Sequence, residues 1–196
     1  MRRWMCVPMI ALCLLMGCRA EEERDVRRAY REMTGCTMTA VVTCDQDGGV
    51  WEAELACDYD PTGETVLEVL DPDTIAGVRA TLDGETWQLE YEDVCLNAGA
   101  ISSQRLSPMT CLPQLMTALR EGWLIEENQE TWQELPCDRL TLDQTGREGG
   151  KVLSTLWIKE DGTPLRGEIA VDGEIILTAV FTEFAFCDTM ELPNNP

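Results

Sequence analysis

The stretch CTMTAVVTC, residues 36–44, alternates small or apolar side chains with threonine and therefore predicts a β-strand. Asp47-Gly48 follows it and is typical of a tight hairpin turn. Residues 50–59 then alternate again, so this region predicts two antiparallel strands joined by a short turn. The same two-residue alternation of side-chain character dominates the rest of the chain.

Eight further segments alternate or are rich in strand-forming residues, and they are Thr65–Leu70, Val78–Leu82, Thr86–Tyr91, Trp123–Glu127, Leu135–Leu142, Lys151–Lys159, Leu165–Val171 and Glu174–Phe186. Turn signals at Asp83-Gly84, Asp161-Gly162 and Asp172-Gly173 separate several of them. Such short connections require antiparallel pairing. A single sheet of about ten strands should curl rather than stay flat.

Two segments have helical rather than strand periodicity. Near the N-terminus, an apolar face is predicted at Val26, Ala29, Tyr30 and Met33, spaced i, i+3, i+4 and i+7. The second helix is opened by Ser107-Pro108 and Pro113 and closed by Gly122. Its apolar stripe consists of Leu112, Leu115, Met116 and Leu119.

The expected fold class is mainly β with two or more helices. A curled antiparallel sheet should form an incomplete barrel, with the helices on its concave face, because that face is the apolar surface available to them. In this arrangement the second helix is a lid. Its stripe and the apolar side of the fifth predicted strand are candidate lining for a hydrophobic ligand, and these residues are Leu112, Leu115, Met116, Leu119, Trp87 and Leu89.

The N-terminus has the features of an export signal. Arg2 and Arg3 precede an apolar run, Trp4–Met16, which is too short to span a bilayer. The run ends in Leu-Met-Gly-Cys at residues 15–18, which resembles the lipobox of bacterial lipoproteins. The resemblance implies cleavage before Cys18 and acylation of that residue; an ordinary secretory signal is the alternative. The predicted organisation is a signal peptide at 1–17, a lipidated tether at 18–23, one domain at 24–187 and a loose tail at 188–196.

The first helix also predicts a basic face, formed by Arg24, Arg27, Arg28 and Arg31. One interpretation is that these arginines face the anionic membrane surface or wall polymer. The alternative is a solvated helix face with a Glu23–Arg27 ion pair.

Composition excludes several functions. The chain has 196 residues, 15 basic and 36 acidic groups and a formal net charge of −21, which opposes binding to nucleic acid. It has no histidine, so histidine-dependent triads and histidine-ligated metal sites are excluded. Hydrophobic residues make up 44% of the chain, enough for a packed core.

Ten cysteines are present, and seven lie beyond residue 18, at 36, 44, 57, 95, 111, 137 and 187. None is spaced C-x-x-C, so zinc ribbons and thioredoxin-like redox motifs are not indicated. An odd number leaves at least one thiol without an intrachain partner. Exported proteins usually oxidise their cysteines, and the alternative is that most are buried thiols that pack as small apolar residues.

No catalytic pattern stands out. Acidic pairs such as Glu126-Glu127 and Glu160-Asp161 are expected by chance in so acidic a chain. Asp45-Gln-Asp47-Gly48 lacks the remaining ligands of a calcium loop. Trp51, Trp87, Trp123, Trp132 and Trp157 are expected in the core rather than on a sugar-binding platform. We therefore expect no enzyme activity, no cofactor and no metal.

The order of elements is similar to that of the LolA and LolB lipoprotein carriers. Local resemblances are the Pro-x-x-hydrophobic-x-Gly step at 72–77, Leu-Ser-Pro at 106–108 and Gly-Thr-Pro-Leu at 162–165. A lipidated, cysteine-rich member of this group also resembles the germination lipoproteins (GerS-like) of spore-forming bacteria. That narrower resemblance implies support of a partner protein in cell-envelope or spore-cortex processing, such as a peptidoglycan amidase.

Two functions from different classes follow. The first is a lipid-anchored binding protein that holds a partner protein at the extracytoplasmic face of a bacterial membrane. The second is a carrier that shelters an acyl chain or a lipoprotein inside the curled sheet. A filled interior would favour the first, and a void beneath the lid would favour the second.

Overall fold

The computed structural model describes residues 25–46, 49–84, 86–92, 94–100, 107–145 and 150–187. The helices are α1 (Arg27–Glu32) and α2 (Cys111–Glu121), the latter preceded by a single 3₁₀ turn at Pro108–Thr110. The strands are β1 (Cys36–Gln46), β2 (Gly49–Tyr59), β3 (Glu64–Asp71), β4 (Arg79–Asp83), β5 (Thr86–Tyr91), β6 (Val94–Ala100), β7 (Trp123–Trp132), β8 (Leu135–Asp143), β9 (Val152–Ile158), β10 (Pro164–Val171) and β11 (Glu174–Phe186).

All eleven strands form one antiparallel sheet in the order β6-β5-β4-β3-β2-β1-β11-β10-β9-β8-β7. Each half of the chain is a meander, because each strand pairs with its neighbour in sequence. The halves join where the first and last strands pair, with Cys36 opposite Phe186 and Cys44 opposite Leu177. The edges β6 and β7 do not meet, so the sheet is open, as predicted.

The contacts of α2 show that the sheet curves around this helix. The helix contacts β2, β8, β9, β10 and β11, and four strands lie between β2 and β8 in the sheet. Adjacent strands are about 4.8 Å apart, so β2 and β8 would be roughly 24 Å apart in a flat sheet. A helix of eleven residues is about 16 Å long and 10 Å wide, so its contacts with both strands fit a sheet that curls around it. The predicted incomplete barrel with helices on its concave face is therefore confirmed.

Strand alternation places the core on the concave face. In β1 the residues Cys36, Met38, Ala40, Val42 and Cys44 are buried, and the threonines between them are on the outer face. Leu55, Leu67, Leu140, Leu156 and Ile169 extend the buried layer across the sheet and are fully buried. The alternation that predicted the strands thus also identifies the buried face.

The turn between β10 and β11 shows why a glycine follows an aspartate there. Asp172 and Gly173 have φ angles of 52° and 92°, so both adopt left-handed backbone conformations. Such a turn matches the twist of the two strands it joins, and glycine adopts this conformation without steric cost. The predicted turn at Asp47-Gly48 lies outside the described residues.

Three predictions of secondary structure are corrected. β6 was not predicted, because its sequence VCLNAGA does not alternate; it forms as the second strand of a hairpin with β5. β7 continues to Trp132 because β8 pairs with it throughout. The predicted apolar face of the first helix is corrected at Ala29, which is exposed; Tyr30 in α1 and Val26 just before it are buried, and Met33 just after it is half-buried.

Candidate functional site

The 3₁₀ turn that leads into α2 begins with a capping box. The Ser107 hydroxyl accepts a hydrogen bond from the Met109 backbone N–H (3.3 Å), and the Thr110 hydroxyl accepts one from the Ser107 N–H (3.3 Å). These bonds satisfy backbone donors that the first turn leaves without partners. Pro108 at the first position has no N–H to satisfy. The sequence signal that predicted the start of the helix therefore acts through this cap.

The predicted stripe of α2 lies in the core, where Leu112, Leu115, Met116 and Leu119 are fully buried. Leu115 lies directly over Gly167 in β10. A β-carbon built on Gly167 would be 2.5 Å from Leu115 Cδ1, closer than carbon atoms pack. At this point the helix rests on the sheet backbone with no space between them.

Polar contacts hold α2 at several points along its length. Arg27 in α1 donates from Nε to the Leu119 carbonyl (2.8 Å) and from Nη2 to the Gly122 carbonyl (2.7 Å). These carbonyls belong to the end of the helix, where backbone acceptors lack helical partners. Burial, and the neighbouring positive charge of Arg31, lower the pKa of Arg27 from its ordinary value. The guanidinium remains charged, because the ordinary pKa of arginine is so high.

On the other side of the helix, the Gln144 side chain donates to the Gln114 carbonyl (3.2 Å) and accepts from the Ser154 hydroxyl (2.5 Å). The hydroxyl groups of Tyr59 and Thr117 are 3.3 Å apart and form a hydrogen bond with each other. Tyr59 of β2, Gln144 after β8 and Arg27 of α1 therefore bind the helix directly, and Ser154 of β9 holds the Gln144 side chain.

The predicted basic face of α1 is corrected at Arg27. This residue points toward α2 because the end of that helix offers two carbonyl acceptors. Arg28 is exposed and pairs with Glu32 (2.9 Å), and Arg31 pairs with Asp25. Arg24 lies outside the described residues, as does Glu23, the ion-pair partner considered for Arg27. A membrane-facing role for Arg24, Arg28 and Arg31 remains a prediction.

Tyr30 anchors α1 to the sheet and was not identified as a key contact from the sequence. Its hydroxyl donates to the Gly162 carbonyl (2.5 Å), and its ring packs against Phe184 and Phe186 at centroid distances of 6.0 and 5.2 Å. Burial is the main cause that raises the pKa of Tyr30 well above its ordinary value. The apolar spacing of α1 indicated that Tyr30 faces inward, but not which strand receives it.

Trp87 and Leu89, the other predicted lining residues, lie on β5, one strand from the β6 edge of the sheet. Both are half-buried on β5, and the pairing of Leu82 with Trp87 and of Leu89 with Leu96 places all four on the concave face. With Tyr91 and Val94 they form a surface that we call the apolar wing: Leu82, Trp87, Leu89, Tyr91, Val94 and Leu96. The wing continues from the core to the edge of the sheet and becomes more exposed along the way.

The tryptophans are only partly in the core. Trp157 is half-buried on the outer face, and the Arg139 and Arg166 guanidinium groups lie 5.8 and 5.6 Å from its ring centroid. Arg139 and Arg166 are its cross-strand partners on the two sides, so these cations occupy the surroundings that a sugar would need. Trp123 is 77% exposed, which corrects the expectation that it is buried.

The seven cysteines of the described chain form no disulfide. Cys36, Cys44, Cys57, Cys111 and Cys137 are buried, and Cys95 and Cys187 are exposed. Burial raises the pKa of Cys36 to about 12 and also raises those of Cys57 and Cys111. Thiols that hold their protons pack as small apolar groups, which was the alternative to disulfides.

The residues described here contain no group of three or more acidic, cysteine or histidine side chains placed to hold a metal ion. Within the same residues, neither helix has the length and apolar character needed to cross a bilayer. Cys18, the predicted lipidation site, lies outside them.

Sequence reasoning missed a groove on the outer face of the sheet. It has a volume of about 370 Å³ and runs across β11, β1, β2, β3 and β4. Thr37, Thr39 and Ala56 line it with short side chains, while Glu68 and Arg79 are longer charged residues in its wall. Because these positions are outward-facing strand residues, only the curvature and twist of the sheet bring them into one groove.

The fold is similar to that of several solved structures. A LolA superfamily protein from Nitrosomonas europaea matches with a TM-score of 0.48 and 11% identity, covering 84% of this chain and 91% of that one. An uncharacterized conserved protein from Thermus thermophilus matches with a TM-score of 0.48 and 14% identity, over 84% and 86% of the two chains. Lipoprotein LppX from Mycobacterium tuberculosis matches with a TM-score of 0.46 and 17% identity, over 82% and 91%.

No family model matches this chain. No curated protein matches it either. At such low identities and TM-scores the likenesses concern the fold alone and carry no conclusion about function. The narrower resemblance to germination lipoproteins has no support from these structures and stays a prediction.

Proposed function

We propose that this protein is a lipid-anchored binding protein that holds a partner protein at the extracytoplasmic face of a bacterial membrane. The observation that supports this proposal is the packing of α2. Its apolar stripe is fully buried, and Leu115 lies on the backbone of Gly167. A helix that is a permanent part of the core leaves the outside of the domain for recognition.

The hydrogen bonds of α2 favour the same function. A lid that opens for a ligand would break the bonds that Arg27 donates to the end of the helix and the bond that Gln144 donates near its middle. Each of these bonds is part-buried, and breaking one would cost about 1–3 kcal/mol unless water replaces it. Moving α2 away from the sheet would therefore cost the energy of these hydrogen bonds in addition to the energy of exposing its apolar stripe.

Cys18 supplies the anchor in this proposal. The apolar run and the Leu-Met-Gly-Cys sequence at 15–18 favour lipidation, and multiple acyl chains hold a protein firmly on a membrane. The partner belongs to cell-envelope or spore-cortex processing if the germination-lipoprotein resemblance extends to function, and a peptidoglycan amidase is the partner it implies. The protein's own role is binding rather than catalysis.

A second candidate, a carrier of an acyl chain or a lipoprotein, is favoured by the apolar wing. Trp87 and Leu89 are half-buried on the concave face of β5, next to the edge strand β6. An aliphatic chain lying along them would bury apolar area, worth about 25 cal/mol per Å². In this alternative the ligand binds beside the helix and the helix need not open.

Affinity capture from membranes in mild detergent distinguishes the two. The tagged protein is isolated, and mass spectrometry measures the proteins and lipids retained per molecule. A binding protein retains one protein at near-equal amount, and its lipid is limited to its own anchor. Lipid at near-equal amount with no retained protein would replace the proposal by the carrier. A Cys18→Ala form, freed from the membrane, controls for lipid that adheres to the anchor.

A further inference from the structure

β6 is an edge of the sheet, and its first half, residues 94–96, lacks the usual protection; the register irregularity with β5 comes further along, between Asn97 and Gly99. No strand in the described part of the chain pairs with its outer side. Its seven residues include no charge and no proline, and the sequence stays uncharged through residue 104. Proteins commonly protect such edges with charged residues, proline or bulges. The opposite edge, β7, carries Glu126, Glu127 and Glu130.

Apolar side chains are exposed beside this edge. Val94 is 56% exposed and Leu96 is 59% exposed. They pair with Tyr91 and Leu89, so the exposed residues continue the apolar wing to the last strand. An added strand gains affinity from backbone hydrogen bonds and specificity from contacts of its alternate side chains. The open edge of β6 offers the backbone hydrogen bonds, and the apolar wing offers the side-chain contacts.

The hairpin between β5 and β6 indicates which backbone groups are available. Tyr91 pairs with Val94 across a loop of two residues. In such hairpins the closing pair exchanges both of its hydrogen bonds across the turn. Along an antiparallel strand, the backbone N–H and C=O groups of successive residues point alternately to the two sides of the strand. Since Val94 bonds to β5, the N–H and C=O of the next residue, Cys95, point to the open side. Cys95 thus offers a donor and an acceptor without disturbing the ladder to β5.

The charge of the neighbouring residues indicates the occupant. Residues 83–93 contain five acidic groups and no basic one, and the whole chain has a net charge of −21. Glu90 pairs with Cys95 across the hairpin, on the face opposite the wing. A second copy joined through β6 would place these acidic segments side by side. A basic partner strand is complementary to them instead.

We propose that β6 binds an extended segment of a partner protein by strand addition. The segment has apolar residues at alternate positions, which pack beside Val94 and Leu96, and basic residues between them on the side of Glu90. This inference rests on the proposed function in that the partner is a protein, and it adds where and how that partner binds. Neither the anchor nor α2 takes part in it.

A synthetic peptide tests the site directly. A fluorescently labelled ten-residue peptide alternating valine and lysine is titrated against the purified full-length protein, with fluorescence anisotropy as the readout. The first control is the same peptide with every second backbone nitrogen methylated, which removes the donors along one side but keeps the charge. The second control alternates valine and glutamate. We expect binding of the first peptide, and at least tenfold weaker binding of both controls.

Two pairs of variants locate the binding. Cys95→Pro removes the outward N–H and keeps the ladder to β5, while Cys95→Ala keeps that N–H and loses the same thiol. We expect at least tenfold weaker binding for Cys95→Pro and unchanged binding for Cys95→Ala. Leu96→Asn should weaken binding severalfold, whereas Ile125→Asn, on the edge strand β7, should not. Circular dichroism checks that each variant folds, and the methylated peptide makes the same test on the unaltered protein.

Three results would overturn the proposal. Equal binding of the methylated and unmethylated peptides would mean that charge alone holds them. Absence of binding would exclude a strand-addition site of this chemistry. A dimer in sedimentation that Cys95→Pro dissociates would assign the edge to a second copy. None of these depends on the membrane capture experiment, so the proposed function can fail or survive independently.

Discussion

Leu115 of α2 and Gly167 of β10 are in such close contact that a β-carbon on Gly167 would lie 2.5 Å from the Leu115 Cδ1 atom. The helix can approach this closely because glycine leaves the strand backbone uncovered. On either side of Gly167 in the sheet are Leu156 and Ala179, both buried. The contact therefore lies inside the core, and it explains why the apolar stripe of a short helix is stably buried.

Gly167→Ala should destabilise the protein. The added methyl group would overlap Leu115, and overpacking of this kind typically costs about 1–3 kcal/mol. Urea unfolding followed by tryptophan fluorescence measures the free energy of unfolding. Combining the change with Leu115→Ala should make the loss less than additive, because the smaller side chain leaves room for the methyl group. If the two losses in free energy were strictly additive, the contact between Leu115 and Gly167 would be contradicted.

Leu115→Ala tests whether the stripe is permanent core. Removing a fully buried leucine should lower the free energy of unfolding by about 2–5 kcal/mol. Uptake of a hydrophobic fluorophore by the folded protein should stay unchanged, since no ligand competes with the helix. A stable Leu115→Ala variant with altered fluorophore binding would favour the carrier function instead.

Arg27→Met should destabilise the protein by about 1–3 kcal/mol. The methionine keeps an apolar stem but removes both hydrogen bonds to the end of α2 and leaves two carbonyls without their donors. Arg28→Met is the matched control on the same helix. Its exposed pair with Glu32 is worth about 0.5 kcal/mol or less. Thermal unfolding of the two variants should therefore differ clearly, and similar losses would argue against a stabilising role of the two Arg27 hydrogen bonds.

Because of the buried thiols, the free energy of unfolding should fall as the pH rises into the alkaline range. Burial raises the pKa of Cys36 to about 12, so the folded protein keeps this proton while the unfolded chain loses it near pH 8.5–9. The stabilisation is complete below that pH and is lost as the pH rises toward 12, by at most about 1.4 kcal/mol per pH unit for each such thiol. Cys57 and Cys111 act in the same direction.

Urea unfolding at pH 8 and pH 10 in a reducing buffer measures this loss. Cys36→Ala should make the loss smaller by about 1–2 kcal/mol, since one of the thiols that ionises on unfolding is gone. Met38→Leu, a change on the same buried face of β1, should leave the pH dependence as it is. An unchanged loss in Cys36→Ala would show that this thiol is not held in its protonated form.

Cys18→Ala should release the protein from the membrane fraction or leave it unprocessed at its N-terminus. The expectation follows from the apolar run that ends in Leu-Met-Gly-Cys at 15–18. Cell fractionation and the mass of the intact protein give the result. Mature protein bound to the membrane as before would contradict lipidation at this residue.

The sequence predicted ten of the eleven strands because the alternation of apolar and polar residues depends only on which side of each strand faces the core. One face of β1 meets the core and the other meets solvent, so Met38 and Thr39 differ in character. β6 escaped prediction because its pairing with β5 and its position at the edge are set by the sheet, not by its own composition.

The candidate site was predicted in part. The stripe of α2 followed from helical spacing, and its burial was required because so short a helix is not stable alone. Arg27 was assigned to an outward basic face because its spacing matches that of Arg24 and Arg31. Its actual partners, the carbonyls of Leu119 and Gly122, are 92 and 95 residues away, and no local pattern reports them.

Periodicity and turn residues over a few positions are enough to predict the strand and helix types, the antiparallel connections and the apolar stripe of α2. The contact of Gly167 with Leu115, the orientation of Arg27 toward α2 and the open edges β6 and β7 are visible only in the folded chain. These relationships join residues distant in the chain. They depend on how a curled sheet closes around a helix, and the physical reason is that steric fit and hydrogen bonding act between neighbours in space.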